Sequence, residues 1–245
     1  MNAEEYDRMF RYEGDYWWYI GRRHLVHTLI KQWIGQKENP LILDIGCGTG
    51  AMAKDLQQYG SVIGCDLRHM ALEYCRKRTL SELVQGDITN LPFQDHSFDL
   101  IVALDILEHV QDDATALKEL RRVLKPNGRL VVTVPAYQFL WGNHDLALGH
   151  VRRYTARELK RKIKTANFRV SKMSHALSLL FPVVALMRVI SKCRDKGKAP
   201  EASIIPLPNW ANSALEGLQR MESRVIRHVS LPVGVTVVAV LEPCS

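Results

Sequence analysis

Apolar residues recur along this chain with two different periods. Leu25, Val26, Leu29, Ile30, Trp33 and Ile34 fall at three- and four-residue spacing, which predicts a helix running on from Arg22 and closed by Gly35 and Pro40. The first 35 residues therefore read as an N-terminal helical cap. From Leu41 the pattern changes to short, uninterrupted apolar runs. Strands are predicted at 41–45, 61–67, 81–87, 98–106 and 129–135, with helices at 51–59, 69–78 and 112–124 between them. Strands that are apolar throughout and alternate with helices belong to a parallel sheet covered on both faces, and right-handed crossovers make it a doubly wound α/β fold.

The C-terminal third departs from that rhythm. A helix is predicted at 156–166, a strand at 168–174 and a final strand at 234–241, with a helix near 210–228. About sixty residues separate the last two strands, too many for a hairpin loop. They include the apolar piece ALSLLFPVVALMRVI (176–190) and the basic KCRDKGK (192–198). This stretch reads as a helical insertion, a lid or a surface-docking element. The chain then divides into a cap (1–39), a core (40–175), the insertion (176–230) and a last strand (231–245), all within one domain.

Composition adds three points. The 245 residues, 47% hydrophobic, suffice for one domain with a sizeable core. The five cysteines form no CxxC pair and no metal-ligand spacing, and no secretory signal is visible at the N-terminus, so a reduced, cytoplasmic protein without a bound metal is expected. Charge is uneven: residues 1–150 carry a net −4, whereas 151–245 carry +11, which suits solubility or an anionic partner.

The densest chemistry lies in LILDIGCGTG (41–50). Gly46, Gly48 and Ala51 fit G-x-G-x-x-A, and Asp66 lies twenty residues beyond Gly46, where a ribose-binding acid belongs. Taken alone, this admits either a nicotinamide dinucleotide or S-adenosylmethionine. Asp44, two residues before the first glycine, would repel a pyrophosphate and attract an ammonium. Asp87, in QGD at the end of the third strand, is either an acceptor for an adenine amino group or an ordinary turn aspartate. No Tyr-x-x-x-Lys pair occurs, so the common short-chain hydride-transfer machinery is missing.

In order, LDIGCGTG, CD (65–66), GDITNLPFQDHSFDLIVALDILEHV and LRRVLKPNGRLVVTVP resemble the successive motifs of class I S-adenosylmethionine-dependent methyltransferases, in particular the type 11 group, over roughly residues 40–135. The resemblance implies a Rossmann-like, seven-stranded sheet with an antiparallel last strand, and S-adenosylmethionine as cofactor with S-adenosylhomocysteine as product. It also implies roles. Gly46 and Gly48 would pack on the methionine part, beside Asp44 and Cys47. Asp66 would take the ribose hydroxyls, Leu67 lie against the adenine, and Asp87 and Ile88 hold its edge. Leu104 and Asp105 would border the sulfonium. His109 is either a cleft residue or a locally satisfied helix-end histidine. KPNG (125–128) stands where KPGG is commoner, and asparagine also tolerates a left-handed turn.

YWWYIGRR (16–23) resembles the opening of some type 11 proteins. It places Arg22 on the apolar stripe of its helix, where a charge needs a partner: the cofactor's carboxylate or an internal acid. Its aromatics are candidates for capping the sulfonium or for plain core packing. A stretch similar to HDxxxGHxRRYT (144–155) recurs in the same subgroup. His144, oriented by Asp145, is the candidate general base, with Tyr137, His150, Arg152 and Arg153 as candidate substrate contacts; the alternative is a polar network that supports the lid.

The expected activity is direct methyl transfer to a small molecule that is lipophilic, anionic or both, with peripheral membrane contact through the insertion. The alternatives are a nucleic-acid methyltransferase using the basic half, a nicotinamide oxidoreductase, or a non-catalytic cofactor-binding partner. Nucleic acid is disfavoured because no DPPY- or NPPY-like tetrapeptide and no appended RNA module is present.

Overall fold

Leu41–Ile45 (β1) is an apolar strand because it lies mid-sheet, pairing in parallel with Ser61–Asp66 (β2) on one side and Phe98–Leu104 (β4) on the other. In this computed structural model, which describes residues 3–194 and 206–244, a seven-stranded sheet has the order β3-β2-β1-β4-β5-β7-β6. Its remaining strands are Leu83–Gln85 (β3), Leu124–Pro135 (β5), Phe168–Ala176 (β6) and Thr236–Pro243 (β7). Only β7 runs against its neighbours, antiparallel to both β5 and β6. All seven residues of β4 are buried, as a continuous apolar run in a doubly covered sheet requires.

Helices clothe both faces. Trp17–Ile34 (α2), Ala51–Leu56 (α3) and His69–Lys77 (α4) bury Val26, Ile30, Met52, Leu56 and Leu72 on one side. Asp113–Val123 (α5) and Ala156–Thr165 (α7) bury Leu117, Leu120, Leu159 and Ile163 on the other. The N-terminal cap is two helices, since Ala3–Tyr12 (α1) precedes α2, and α2 begins at Trp17, five residues before the apolar stripe becomes regular.

The expected insertion holds two helices between β6 and β7, Phe181–Arg194 (α8) and Asn209–His228 (α9). The apolar piece 176–190 divides in two. Ala176 closes β6, and Pro182 sits in the first turn of α8, where a missing N–H costs nothing. On α9, Ile226 packs with Leu25 of α2 and with Val238 of β7, so this helix roofs the cap rather than standing free. Residues 195–198 of the basic run lie outside the described residues.

Two local expectations are corrected. The third strand spans three residues, not seven, because Asp87 closes a tight turn by accepting from Thr89 N and Thr89 Oγ1, both at 2.8 Å. KPNG forms no left-handed turn: β5 starts at Leu124, the β4–β5 register shifts between Phe98 and Leu100, and neither Asn127 nor Gly128 has a positive φ.

Candidate active site

The strand order reverses between β1 and β4, and the crevice at their carboxyl ends is where an open α/β sheet binds ligands. The loop after β1 is pinned there. Gly46 N and Cys47 N donate to Cys65 O at 2.7 and 3.1 Å. Gly46 and Gly48 have φ of +70° and +55°, in the left-handed region. A methyl group on Gly46 would lie 2.8 Å from Ile106 Cδ1, and one on Gly48 would lie 3.1 Å from Met9 Sδ of α1.

Three acids surround this loop. Asp66 ends β2 and accepts from Gly48 N at 3.0 Å and Arg68 N at 2.9 Å, one on each oxygen, which leaves carboxylate lone pairs for further donors. Burial raises its carboxyl above the usual range, against the pull of those N–H groups. Asp44 is 3% exposed, its Oδ2 is buried without a hydrogen-bond partner, and burial pushes its carboxyl up to about 7. Glu13, between α1 and α2, hydrogen-bonds Thr49 and pairs with Arg78 at 2.8 Å, which closes the cap over the loop. Leu67 stands beside Asp66 with 55% of its surface free. Ile88, by contrast, is packed into the core, and the carboxylate of Asp87 is occupied by its own turn. Cys47 is buried 3.7 Å from Cys75 Sγ, and that thiol contact, with burial, raises its pKa.

The end of β4 faces the cap. Asp105 adopts φ +49°, a conformation non-glycine residues rarely take outside constrained sites. Its carboxylate accepts from Thr133 Oγ1 at 3.0 Å and pairs with Arg22 Nη1 at 2.5 Å. Arg22 lies 4.6 Å from the ring of Trp18 and 5.7 Å from that of Tyr19. Thus the stripe arginine has an internal acid, and two of the opening aromatics stack on arginine. Leu104, 8% exposed, backs this corner.

Beyond Asp105 the chain makes a short turn, Leu107–His109, and the His-Asp motif returns to it. Asp145, on Asn143–Leu148 (α6), is buried. Its carboxylate is held by His150 Nδ1 at 2.9 Å, Arg153 Nε at 2.8 Å, Arg153 Nη2 at 3.0 Å and Gly142 N at 2.9 Å. Asp145 thus orients His150. Burial and the nearby Arg188 press the His144 imidazole down to about 3, so at neutral pH it is uncharged and a poor proton acceptor. His109 meets His150 edge to face at 4.7 Å and is pushed down to about 4 by burial and that neighbour.

The two arginines proposed for an anionic substrate are also committed internally. Arg152 pairs with Asp113 at 3.1 Å, and Arg153 is buried against Asp145. They follow the motif into the core because Tyr154, 2% exposed, anchors it there by donating to Asp113 at 2.7 Å. Tyr137 has φ +58° and contacts His175 Nε2 through its hydroxyl at 3.0 Å, so it lies among aromatics that include Phe139 and Phe181. Two residues escaped sequence reasoning. Glu108 is fully buried, and neither carboxylate oxygen has a hydrogen-bond partner. Arg188 reaches from α8 over Gly142: a methyl group there would lie 3.2 Å from its Nη1, and it makes no ion pair with a described residue. The ILEHV spelling was the signal for Glu108; for Arg188 the sequence offered none beyond an arginine in an apolar run.

These residues fit S-adenosylmethionine. The left-handed glycines leave room for close backbone approach, Asp66 offers acceptors to a ribose, and the unpartnered oxygen of Asp44 suits an ammonium.

Comparison with known proteins agrees. Residues 43–132 match the family model described as a methyltransferase domain. The chain has the fold of the S-adenosylmethionine-dependent methyltransferases. A SAM-dependent methyltransferase from Thermotoga maritima superposes over 98% of this chain and 95% of its own, with a TM-score of 0.61 at 20% identity. The [4+2]-cyclase SpnF, TM-score 0.57 at 19% identity, covers 91% of this chain and 81% of its own, so the fold also serves other chemistry. In sequence, a demethylmenaquinone methyltransferase of Staphylococcus epidermidis is 34% identical over 137 residues, 53% of this chain and 55% of that protein. A Streptomyces fradiae transposon protein of 37.1 kDa is 33% identical over 184 residues, 67% of this chain and 53% of its own. The chain spans about half the length of the curated relatives it matches.

Proposed function

We propose that this protein transfers the methyl group of S-adenosylmethionine to a small acceptor that is lipophilic and carries an anionic group. The observation that supports the transfer is the left-handed glycine loop flanked by Asp44 and Asp66. When bound, the cofactor supplies an electrophilic methyl group. The chain's part is to hold and align. Asp66 accepts from the ribose hydroxyls, Asp44 faces the ammonium, and the Arg22–Asp105 pair fixes the wall at the end of β4. Alignment of acceptor, methyl and sulfur supplies on the order of 7–11 kcal/mol in well-oriented systems.

The acceptor's character rests on α8. Val183, Leu186, Met187 and Ile190 lie at helical spacing and are 45–61% exposed, an apolar stripe in the open, and Leu179 in the turn before the helix is exposed as well. On the inner side of the same helix, Phe181 meets Tyr137 at 5.7 Å, and Arg188 reaches the neighbourhood of Asp145 and Arg153. A helix apolar outside and cationic inside suits an acceptor delivered from a lipid surface with an anionic end turned inward. Demethylmenaquinone, named for the Staphylococcus relatives, belongs to the lipophilic part of this class. Among the described residues no helix is long and apolar enough to cross a membrane.

The test is radiolabelled methyl transfer to lipid extracts against water-soluble metabolites, with wild type and Arg188→Ala. Product confined to the lipid fraction and lost in R188A supports this reading; product confined to the water-soluble fraction contradicts it.

A further inference from the structure

Glu108, His109 and His150 each present one ligand atom to a common point, the three atoms lying within 4.8 Å of one another. Glu108 is 0% exposed, and both its oxygens lack a hydrogen-bond partner. A carboxylate in that condition is costly unless a cation or a proton accompanies it. Its nearest basic atom is His150 Nε2, at 3.9 Å from Oε1, too far for a hydrogen bond yet suitable for two ligands of one ion. His150 is oriented by its other nitrogen: Nδ1 is hydrogen-bonded to Asp145 Oδ1 at 2.9 Å, which leaves Nε2 to face Glu108. His109 packs edge to face on the His150 ring at 4.7 Å. A carboxylate behind a ligating histidine is the usual outer support of a metal site. The backbone holds the group together as well, since Val151 N donates to Glu108 O at 2.8 Å.

We propose that Glu108, His109 and His150 bind one divalent transition-metal ion at the carboxyl end of β4. Two imidazoles and one carboxylate select the zinc, iron and manganese class over calcium or magnesium, which favour all-oxygen shells. Three protein ligands leave coordination positions open. Resting on the methyl-transfer reading above, the ion's role is to bind an acceptor hydroxyl and lower its pKa. The hydroxyl proton leaves to solvent, the oxygen forms its bond to the methyl carbon as the carbon–sulfur bond breaks, and that electron pair stays on sulfur as the thioether. No separate protein base is needed.

The experiment uses chelator-stripped full-length protein titrated with Co2+ and Zn2+, following Co2+ visible absorption and calorimetry, with S-adenosylhomocysteine titrated in parallel. Glu108→Gln keeps the shape of a buried side chain, and His109→Asn is a second, independent variant. A His24→Ala/His228→Ala double variant removes imidazoles from the groove between α2 and α9, away from the site. The expected result is one high-affinity ion per chain in wild type and in the double variant. Each site variant should lose more than the ~10–100-fold in affinity that removing an outer-shell partner costs. S-adenosylhomocysteine binding should persist in E108Q. Equal binding by wild type, E108Q and H109N overturns the site, as does loss of binding only in the His24/His228 variant, or no binding by wild type. Metal binding without S-adenosylhomocysteine binding overturns the cofactor reading and leaves the site standing.

Discussion

Arg22 Nη1 and Asp105 Oδ2 lie 2.5 Å apart, and this pair joins the N-terminal cap to the end of the central strand β4. The arginine is at the same time stacked on Trp18. Removing the arginine strands an aspartate whose only other side-chain partner among the described residues is Thr133 Oγ1. Arg22→Met should destabilise the protein by about 2–3 kcal/mol, below the ~3–5 kcal/mol of fully buried pairs because both side chains keep nearly a fifth of their exposure. Urea denaturation measures it, and Asp105→Asn in the same chain should recover part of the loss.

Asp44 makes stability and cofactor affinity respond to pH in opposite senses. Its folded-state pKa, about 7, lies above its ordinary 3.8 because burial disfavours the charge. The folded protein then binds the proton more tightly than the unfolded chain. The contribution is present in full below 3.8 and is lost as pH rises toward 7, about 4 kcal/mol in all. Asp44→Asn should flatten that part of the wild-type profile. If the ionised form faces the cofactor's ammonium, S-adenosylhomocysteine affinity should fall roughly tenfold per pH unit below about 7. Calorimetry between pH 5 and 8 should find that slope in wild type and none in D44N.

Gly48→Ala places a side chain at φ +55°, with Met9 Sδ 3.1 Å from the new methyl group. The left-handed backbone alone costs about 1–2 kcal/mol. Met9→Ala should relieve the contact but not the backbone strain. Thermal unfolding of the single and double variants separates these terms, and S-adenosylhomocysteine binding should weaken in both.

For Asp145, burial alone would raise the pKa, but hydrogen bonds from His150 and Arg153 outweigh it and hold the carboxyl well below the usual range. The sign is opposite to that of Asp44: its contribution is present above about 3.8 and lost as pH falls further. Asp145→Ala, which leaves Arg153 buried and unpaired, should cost about 3–5 kcal/mol at pH 7, with the deficit shrinking in acid. Denaturation midpoints at several pH values decide it.

On α8, Val183→Asp with Leu186→Asp should change stability by no more than about 0.5 kcal/mol, since both positions are more than half exposed. Cosedimentation with anionic lipid vesicles should fall several-fold in the same variant. Unchanged cosedimentation would remove the lipid-surface contact from the proposal.

The sheet was legible because buried parallel strands read as bare apolar runs, and because the GxGxxA loop with Asp66 has a fixed place in that fold. The antiparallel β7 came from the family resemblance, not from its own residues. What the sequence could not convey was pairing across the chain. Asp145 is adjacent to His144, yet a helix turns neighbouring side chains to different faces, and the residue five positions on takes the hydrogen bond. Arg152 and Arg153 read as open cations because nothing local says that Asp113 and Asp145 lie behind them. Glu108 had no role in the sequence reading, because only tertiary packing leaves its oxygens buried and unpartnered.

The most direct measurement is calorimetric titration of the full chain with S-adenosylmethionine and S-adenosylhomocysteine, with NADH as the control and Asp66→Ala alongside. Binding of the first two by wild type, abolished in D66A and absent for NADH, is the predicted result. Binding of NADH alone, or of none of the three by folded wild-type protein, would contradict the assignment of the glycine loop.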